Sequence, residues 1–247
     1  MRWIRTLTGT GVRSCSLGAL VAATAAISAG GQAPSAAPPP AVSRPAEATQ
    51  PLHFLVVLDA AHGGDDFGGR LANEPEKSFA LALSVRLRSL LAARGIQVVT
   101  TRESDLTMDA AHRAEIANHA KAQACLSLHA SETGFGIHLF ASSLPPAPAS
   151  RIPAWRTAQA AWVTQSLALA GVLNSALLHA GLSVTLGRTA LPEVDSMTCP
   201  AIAVEVAPSK AADAGAATDL DAPDYQAHVA EALAAALLEW KTGVEQP

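Results

Sequence analysis

The order of apolar runs and helical periodicities predicts an α/β fold: a single domain built on a largely parallel, twisted sheet with helices on both faces. Three observations point there. Strand-like runs beginning at Val56, Ile96, Ala124, Gly136 and Ala201 mostly alternate with stretches long enough for crossovers, and a parallel pair needs a connection of about a dozen residues, usually a helix. The chain of 247 residues is 49% hydrophobic, enough to fill one sizeable core. Its most chemically suggestive residues stand just past strand ends, where open sheets of this kind bind ligands. No internal repeat is visible.

Val56-Val57-Leu58 opens the series and runs into Asp59-Ala60-Ala61-His62-Gly63-Gly64, a strand followed by a loop whose tight turns call for glycine. Pro75-Glu76-Lys77 then starts a helix, with Phe79, Leu83, Leu87, Leu90 and Leu91 at helical spacing and Gly95 as its stop. Ile96 to Thr101 is the second strand, and a helix follows from Thr107, read as its N-cap, to Ala122. The third strand, Ala124 to Leu128, leads directly into His129. Gly136 to Ala141 is the fourth, closed by the Leu144-Pro145-Pro146 loop. From Ala154 to Ala180 the pattern is helical, weakened at Gly171 and ended by Gly181. After a less regular segment, Ala201 to Val206 reads as a strand and Pro223 to Trp240 as a closing Ala-rich helix.

The first residues follow a different pattern. Arg2, Arg5 and Arg13 precede an apolar, small-residue stretch from Leu17 to Ile27, which reads as a secretory signal peptide over residues 1–29. A permanently anchored amino-terminal helix is the alternative, against which the apolar run is short for the ~20 residues of a membrane span. No transmembrane segment is therefore expected in the mature chain, which would be exported to the periplasm or beyond the cell. Residues 30–51, rich in Ala and Pro, read as a linker, 52–243 as the folded domain and 244–247 as a tail. A net charge of -4 without a basic block excludes a nucleic-acid surface, and a monomer is expected. Cys125 and Cys199 lack zinc-knuckle spacing, and a disulfide or two buried thiols fit them equally.

The strand order brings His62, His129 and Glu205 toward one edge of the sheet. Two histidines and a carboxylate, with a further carboxylate nearby, meet the needs of a hydrolytic zinc site, where three ligands leave a fourth position for water. Zinc lowers the pKa of such a water to about 7, and a carboxylate can accept its proton during attack on a carbonyl. Glu205 lies in an apolar strand, where an unpaired carboxylate costs several kcal/mol and calls for a partner. Glu76 taken alone would suit a helix amino terminus through the macrodipole. His112, His119, His179 and His228 fall on helices and read as surface residues, whereas His138 could line the cleft. Arg102 and Arg113 read as loop ties.

Taken together, Asp59-Ala60-Ala61-His62-Gly63-Gly64-Asp65-Asp66-Phe67-Gly68, Glu76-Lys77, Arg102 with Asp105, Arg113 with Ala117-Asn118, Ser127-Leu128-His129-Ala130, Pro200-Ala201 and Val204-Glu205-Val206 form an ordered set. That set resembles the zinc-dependent N-acetylmuramoyl-L-alanine amidases of the cell-wall amidase type 3 family, over nearly all of Leu55 to Leu238. The resemblance implies a zinc held by His62, Glu76 and His129, with Glu205 as the catalytic carboxylate. The implied substrate is peptidoglycan, cut at the amide between N-acetylmuramic acid and L-alanine in wall remodelling or turnover. Asp59 is expected to orient a ligand imidazole.

The chain departs from the family pattern at Ala60-Ala61, where Pro-Gly is usual, at Ser131, where Asn is usual, and at Ala207-Pro208-Ser209-Lys210, where Gly-Phe and a later Asn are usual. These departures bear on substrate contacts and leave the ligand set intact. Some members are held shut by an inserted helix that places an acid on the zinc; the Ser142 to Ala154 connection is short, Pro-rich and free of acids, so no such helix is expected. Two further readings stay open. One is an inactive wall-binding or regulatory protein of the same fold, and the other a zinc carboxypeptidase-like enzyme in which Arg188 would hold a free carboxylate.

Overall fold

In the computed structural model, which describes residues 54–148, 154–209 and 218–245, one sheet organises the domain. Its strands are β1 (Leu55–Ala60), β2 (Gln97–Thr100), β3 (Ala124–Ala130), β4 (Ile137–Ser142), β5 (Val184–Thr189) and β6 (Ala201–Val206). They lie in the order β2-β1-β3-β6-β4-β5. Four of the five pairings are parallel, and only the β4–β6 pairing is antiparallel, which is the largely parallel sheet that the crossover lengths predict. The signal peptide and linker lie outside the described residues. Among the described residues no single helix is long and apolar enough to cross a membrane.

Helices cover both faces, as expected. On one face pack α1 (Glu76–Ala93), α3 (Val163–His179) and α5 (Pro223–Glu245). Each presents one row at helical spacing: Phe79, Leu83, Leu87 and Leu91; Leu169, Leu173 and Leu177; Val229, Leu233 and Leu237. These rows meet Val56, Leu58, Leu126, Leu128, Ile202 and Val204 in the larger core. The alternate strand residues face the other way. Val57, Cys125, Ala201 and Ala203 pack beneath α2 (Ala110–Ala120) and the one-turn α4 (Pro192–Asp195), with Ala114, Ala117, Val194 and Met197.

Several boundaries differ from the sequence expectation, each for a physical reason. The N-cap of α2 is Asp109, whose side chain accepts the His112 N–H; the Thr107 hydroxyl instead takes the Asp65 N–H. The helical stretch after Ala154 breaks at Trp162, not at Gly171. A 3-10 helix, Trp155–Ala161, meets α3 there at a bend of 67°, and Gly171 lies inside α3 with open space beside it. The segment read as irregular contains β5 and α4; β5 is an edge strand, mostly exposed, so it shows no buried alternation. β3 continues to Ala130 and so includes His129. α5 runs to Glu245, past the expected tail boundary.

Cys125 and Cys199 are joined in a disulfide, which decides between the two readings that spacing left open. Both residues are buried against the smaller core, and the bridge ties β3 to the residue just before Pro200 and β6. Closing a segment with a sequence separation of 74 residues restricts the unfolded chain by an amount worth about 4 kcal/mol in the chain-entropy account. Replacing both cysteines with alanine should therefore lower the unfolding free energy by about 2–5 kcal/mol, read as an earlier urea midpoint. An unchanged midpoint would show that the crosslink adds nothing to stability.

Candidate metal centre

The parity of the strands builds the site. On the face covered by α2 and α4, register aligns three rungs across the sheet. The first is Val57, Cys125 and Ala201; the second is Asp59, Ser127, Ala203 and Phe140; the third is His129, Glu205 and His138. Polarity thus rises toward the carboxyl ends of β1, β3 and β6. β4 runs the other way, so its second residue, His138, arrives at the same edge as the penultimate residues of β3 and β6.

His62 and Glu76 complete the cluster from outside the sheet. His62 lies two residues beyond β1 with a left-handed φ of 62°, which turns its ring back over the strand ends. Glu76 is the first residue of α1, but its carboxylate does not simply serve the helix terminus. Oε2 accepts the Gly69 N–H at 2.7 Å and lies 3.2 Å from His62 Nε2, and Oε1 lies 2.8 Å from His129 Nδ1. Ligand atoms of His62, Glu76 and His129 all fall within 4.8 Å of one another. Gly68 permits this closeness: a Cβ there would come 2.5 Å from His62 Cδ2 and 2.7 Å from Glu76 Oε2.

The donor set fits zinc, two imidazole nitrogens and a carboxylate oxygen being common zinc ligands. The outer nitrogens support that fit. His62 Nδ1 is 2.9 Å from Asp66 Oδ2, and His129 Nε2 is 3.3 Å from Ser127 Oγ and 3.5 Å from Glu193 Oε1. An acceptor at the outer nitrogen keeps the proton there and leaves the inner nitrogen free to bind metal. Asp66 and Glu193 were not singled out from sequence. Asp66 sat inside the glycine motif without an assigned role, and Glu193 lies on a helix of four residues that carries no periodic signal.

Asp59, expected to orient an imidazole, stands one hydrogen bond further away. Its Oδ2 accepts from Ser127 Oγ at 2.8 Å, and Ser127 in turn reaches His129. Asp59 Oδ1 accepts from Thr101 Oγ1 and faces Arg113 Nε at 2.9 Å, an ionic contact off the N–H axis. Arg102 and Arg113 are structural ties, as their positions suggested. Arg102 donates to the carbonyls of Ala60, Ala61 and Lys77, and Arg113 to that of Met108. Lys77 braces the first loop by donating to Gly64 O and Asp105 Oδ2, with Nζ 4.3 Å from the centroid of the exposed Phe67 ring.

Glu205 is not a member of the three-residue cluster but stands beside it, opposite His129 on the neighbouring strand, with Oε1 2.7 Å from His138 Nδ1. His138 therefore stands at the same sheet edge as the cluster, mostly buried beside Glu205. His112, His119, His179 and His228 are exposed on helices, as expected. Arg188 donates to the carbonyls of Ser142 and Leu144, and its strand partner is Ala141. Ala141 is three residues along β4 from His138, about 10 Å at strand spacing. Its guanidinium is thus committed away from the cluster.

Known proteins resemble this chain in sequence and in fold. The family described as N-acetylmuramoyl-L-alanine amidase matches residues 56–239. The endolysin of Bacillus phage SPP1 is 39% identical over 83 residues, 33% of this chain and 31% of that protein. The N-acetylmuramoyl-L-alanine amidase AmiA of Escherichia coli is 40% identical over 78 residues, 31% of this chain and 27% of that protein. The matched stretch thus spans about a third of these curated relatives or less. The N-acetylmuramyl-L-alanine amidase Ami1 from Mycobacterium smegmatis superposes with a TM-score of 0.61 at 21% identity, covering 77% of this chain and 97% of that one, a likeness of fold.

Without metal, the cluster is a charge-coupled set. Burial raises the Glu76 carboxyl, but hydrogen bonds with His129, His62 and the Gly69 N–H outweigh it and hold the group well below the usual carboxylate range. Burial lowers the His129 imidazole, but Glu193 and Glu76 beside it outweigh that and bring it up to about 9 from its ordinary 6.5. The raised value means that protonated His129 stabilises the metal-free fold fully below pH 6.5, a contribution lost as pH rises through about 9. A zinc ion held by His129 would need the neutral ring, so its apparent affinity should rise about tenfold per pH unit for each proton displaced across that window. Competition titration with a chromophoric chelator measures it. A pH-independent affinity would show that His129 does not hold the metal.

Proposed function

The chain belongs to the N-acetylmuramoyl-L-alanine amidase family, and from that premise we propose that it is a zinc hydrolase cutting the amide between N-acetylmuramic acid and L-alanine in peptidoglycan. The observation that carries the reading is the convergence of His62, Glu76 and His129 within 4.8 Å, with Glu205 beside His129 at the same sheet edge. His62 Nε2, a Glu76 oxygen and His129 Nδ1 would hold the metal. Bound there, zinc supplies Lewis acidity that polarises the scissile carbonyl and makes water nucleophilic near neutral pH.

The chain's own residues do the rest. Asp66 beside His62 and Glu193 beside His129 hold the two imidazoles in the orientation that metal binding needs. Glu205 is about a third exposed, so a substrate bound at this sheet edge can reach it. Its Oε1 is engaged by His138, so Oε2 is the atom that takes a proton from the attacking water and passes it to the leaving nitrogen of L-alanine. The glycan and its peptide would bind at this sheet edge, and Phe67 is exposed on the loop that carries His62.

The two other readings receive less support. An inactive wall-binding protein has no need of a complete ligand set with an acid beside it. A carboxypeptidase-like enzyme needs a free cation for a terminal carboxylate, and Arg188 is tied to two backbone carbonyls. The buried disulfide supports export to an oxidising compartment, consistent with residues 1–29 acting as a signal peptide and 30–51 as a linker. The mature domain would then act in the periplasm or outside the cell, in wall remodelling or turnover.

Digestion of purified sacculi tests the reaction directly: the amidase generates new L-alanine amino termini. Glu205→Gln should keep zinc and fold while turnover falls by at least about 10²-fold. His129→Ala should lose both metal and activity. Release of free carboxy-terminal amino acids by the wild type would instead support the carboxypeptidase-like reading. A Gln variant with full zinc and near-normal rate would move the general base elsewhere.

A further inference from the structure

The reading of Glu205 as the proton carrier leaves open what holds its carboxylate in place. Glu205 projects from β6 with solvent on one side, and a glutamate has enough free rotation to lose its aim between turnovers. Among the described residues its polar side-chain partner is His138 alone, with Nδ1 2.7 Å from Oε1. The two residues are direct partners in the antiparallel β4–β6 register, so both side chains rise from one face at one level.

The imidazole is itself boxed in. Gly134, in the turn between β3 and β4 with φ +82°, passes over the ring so closely that a Cβ there would lie 2.6 Å from His138 Cε1 and 3.0 Å from Nε2. Phe140, two residues along β4 on the same face, meets the ring edge-on, with centroids 6.2 Å apart at an interplanar angle of 66°. Backbone on one side, an aromatic ring on another and the Glu205 carboxylate at Nδ1 leave His138 little freedom. The turn that creates the box is pinned to the end of β6 by Ser131 N–H to Val206 O, Gly136 N–H to Pro208 O and Ala207 N–H to Gly136 O.

We propose that His138 is a positioning residue for the reaction: clamped beneath Gly134, it donates Nδ1–H to one Glu205 oxygen and thereby aims the other at the bond being cut. This rests on the assignment of Glu205 above. His138 does not touch the substrate's reacting atoms, and its effect passes through the carboxylate. A misplacement of about 1 Å at a reacting group can cost about 100-fold in rate, so the clamp acts on kcat and leaves metal binding alone.

The test compares His138→Phe and His138→Asn with Glu205→Gln and the Glu205→Gln/His138→Phe double variant, measuring zinc content, kcat and KM on solubilised peptidoglycan fragments. His138→Phe should keep one zinc per chain and a near-normal KM, with kcat down about 10- to 100-fold. His138→Asn, whose amide N–H can stand where Nδ1–H stood, should recover most of that loss. The double variant should be no slower than Glu205→Gln, because the clamp has no carboxylate left to aim. Gly134→Ala, which pushes the ring without removing it, should reproduce the kcat loss and decides the matter if the Phe variant fails to fold. Normal kcat in His138→Phe, or an equal further loss in the double variant, would overturn the proposal. If Glu205→Gln is inactive while His138→Phe is normal, only the clamp fails; if Glu205→Gln is active, the base assignment itself fails.

Discussion

A single buried carboxylate holds the site together. Glu76 touches His62 from the loop after β1, His129 from β3 and the Gly69 N–H from the returning loop, and it begins the helix that covers the larger core. Burying a charge is tolerable only where its lone pairs are met, and here they are met by groups from separate parts of the chain. The loop conformation follows from that need. The left-handed His62 and the close passage of Gly68 are strained or space-limited features that persist because the carboxylate over-determines them.

Around that acid, the sheet separates stability from chemistry. One face carries three helices with rows of leucine and valine, and the other is thinly covered by α2 and α4. The thin face alone carries Asp59, Ser127, His129, Glu205 and His138, all on the same strand parity. The disulfide lies in the lowest rung of that face. It holds β3 to the approach of β6 where the small core, rich in alanine, has less apolar area to offer.

This division explains what the amino-acid sequence made legible. Strands buried on both faces read as continuous apolar runs, and polar residues interrupting them are conspicuous; His129 and Glu205 stood out for that reason. Glu76 was legible only through its place in the ordered set, since an acid at a helix start has an ordinary explanation. Glu193 was invisible because four residues of helix have no periodicity, and its approach to His129 depends on how α4 folds over the sheet. Thr107 and Asp109 are both good capping residues, and the choice fell to Asp109 because Thr107 was needed to hold the glycine loop. Trp162 breaks a helix without Pro or Gly, so composition gave no warning of it.

The position of β6 between β3 and β4 has a consequence in time. His62, Glu76 and His129 are all in place by residue 130 of the chain, whereas Glu205 and the disulfide partner Cys199 follow about 70 residues later. A growing polypeptide that stops short of Ala201 has a gap in the middle of its sheet, unpaired edges on β3 and β4, and an arch from Ser131 to Gly136 with no strand beneath it. Biosynthesis therefore delivers the His62, Glu76 and His129 cluster first and Glu205 last. Under the proposed reaction a fragment that stops before Ala201 lacks its proton carrier, Glu205, and the last central strand to be made is the one that completes the site.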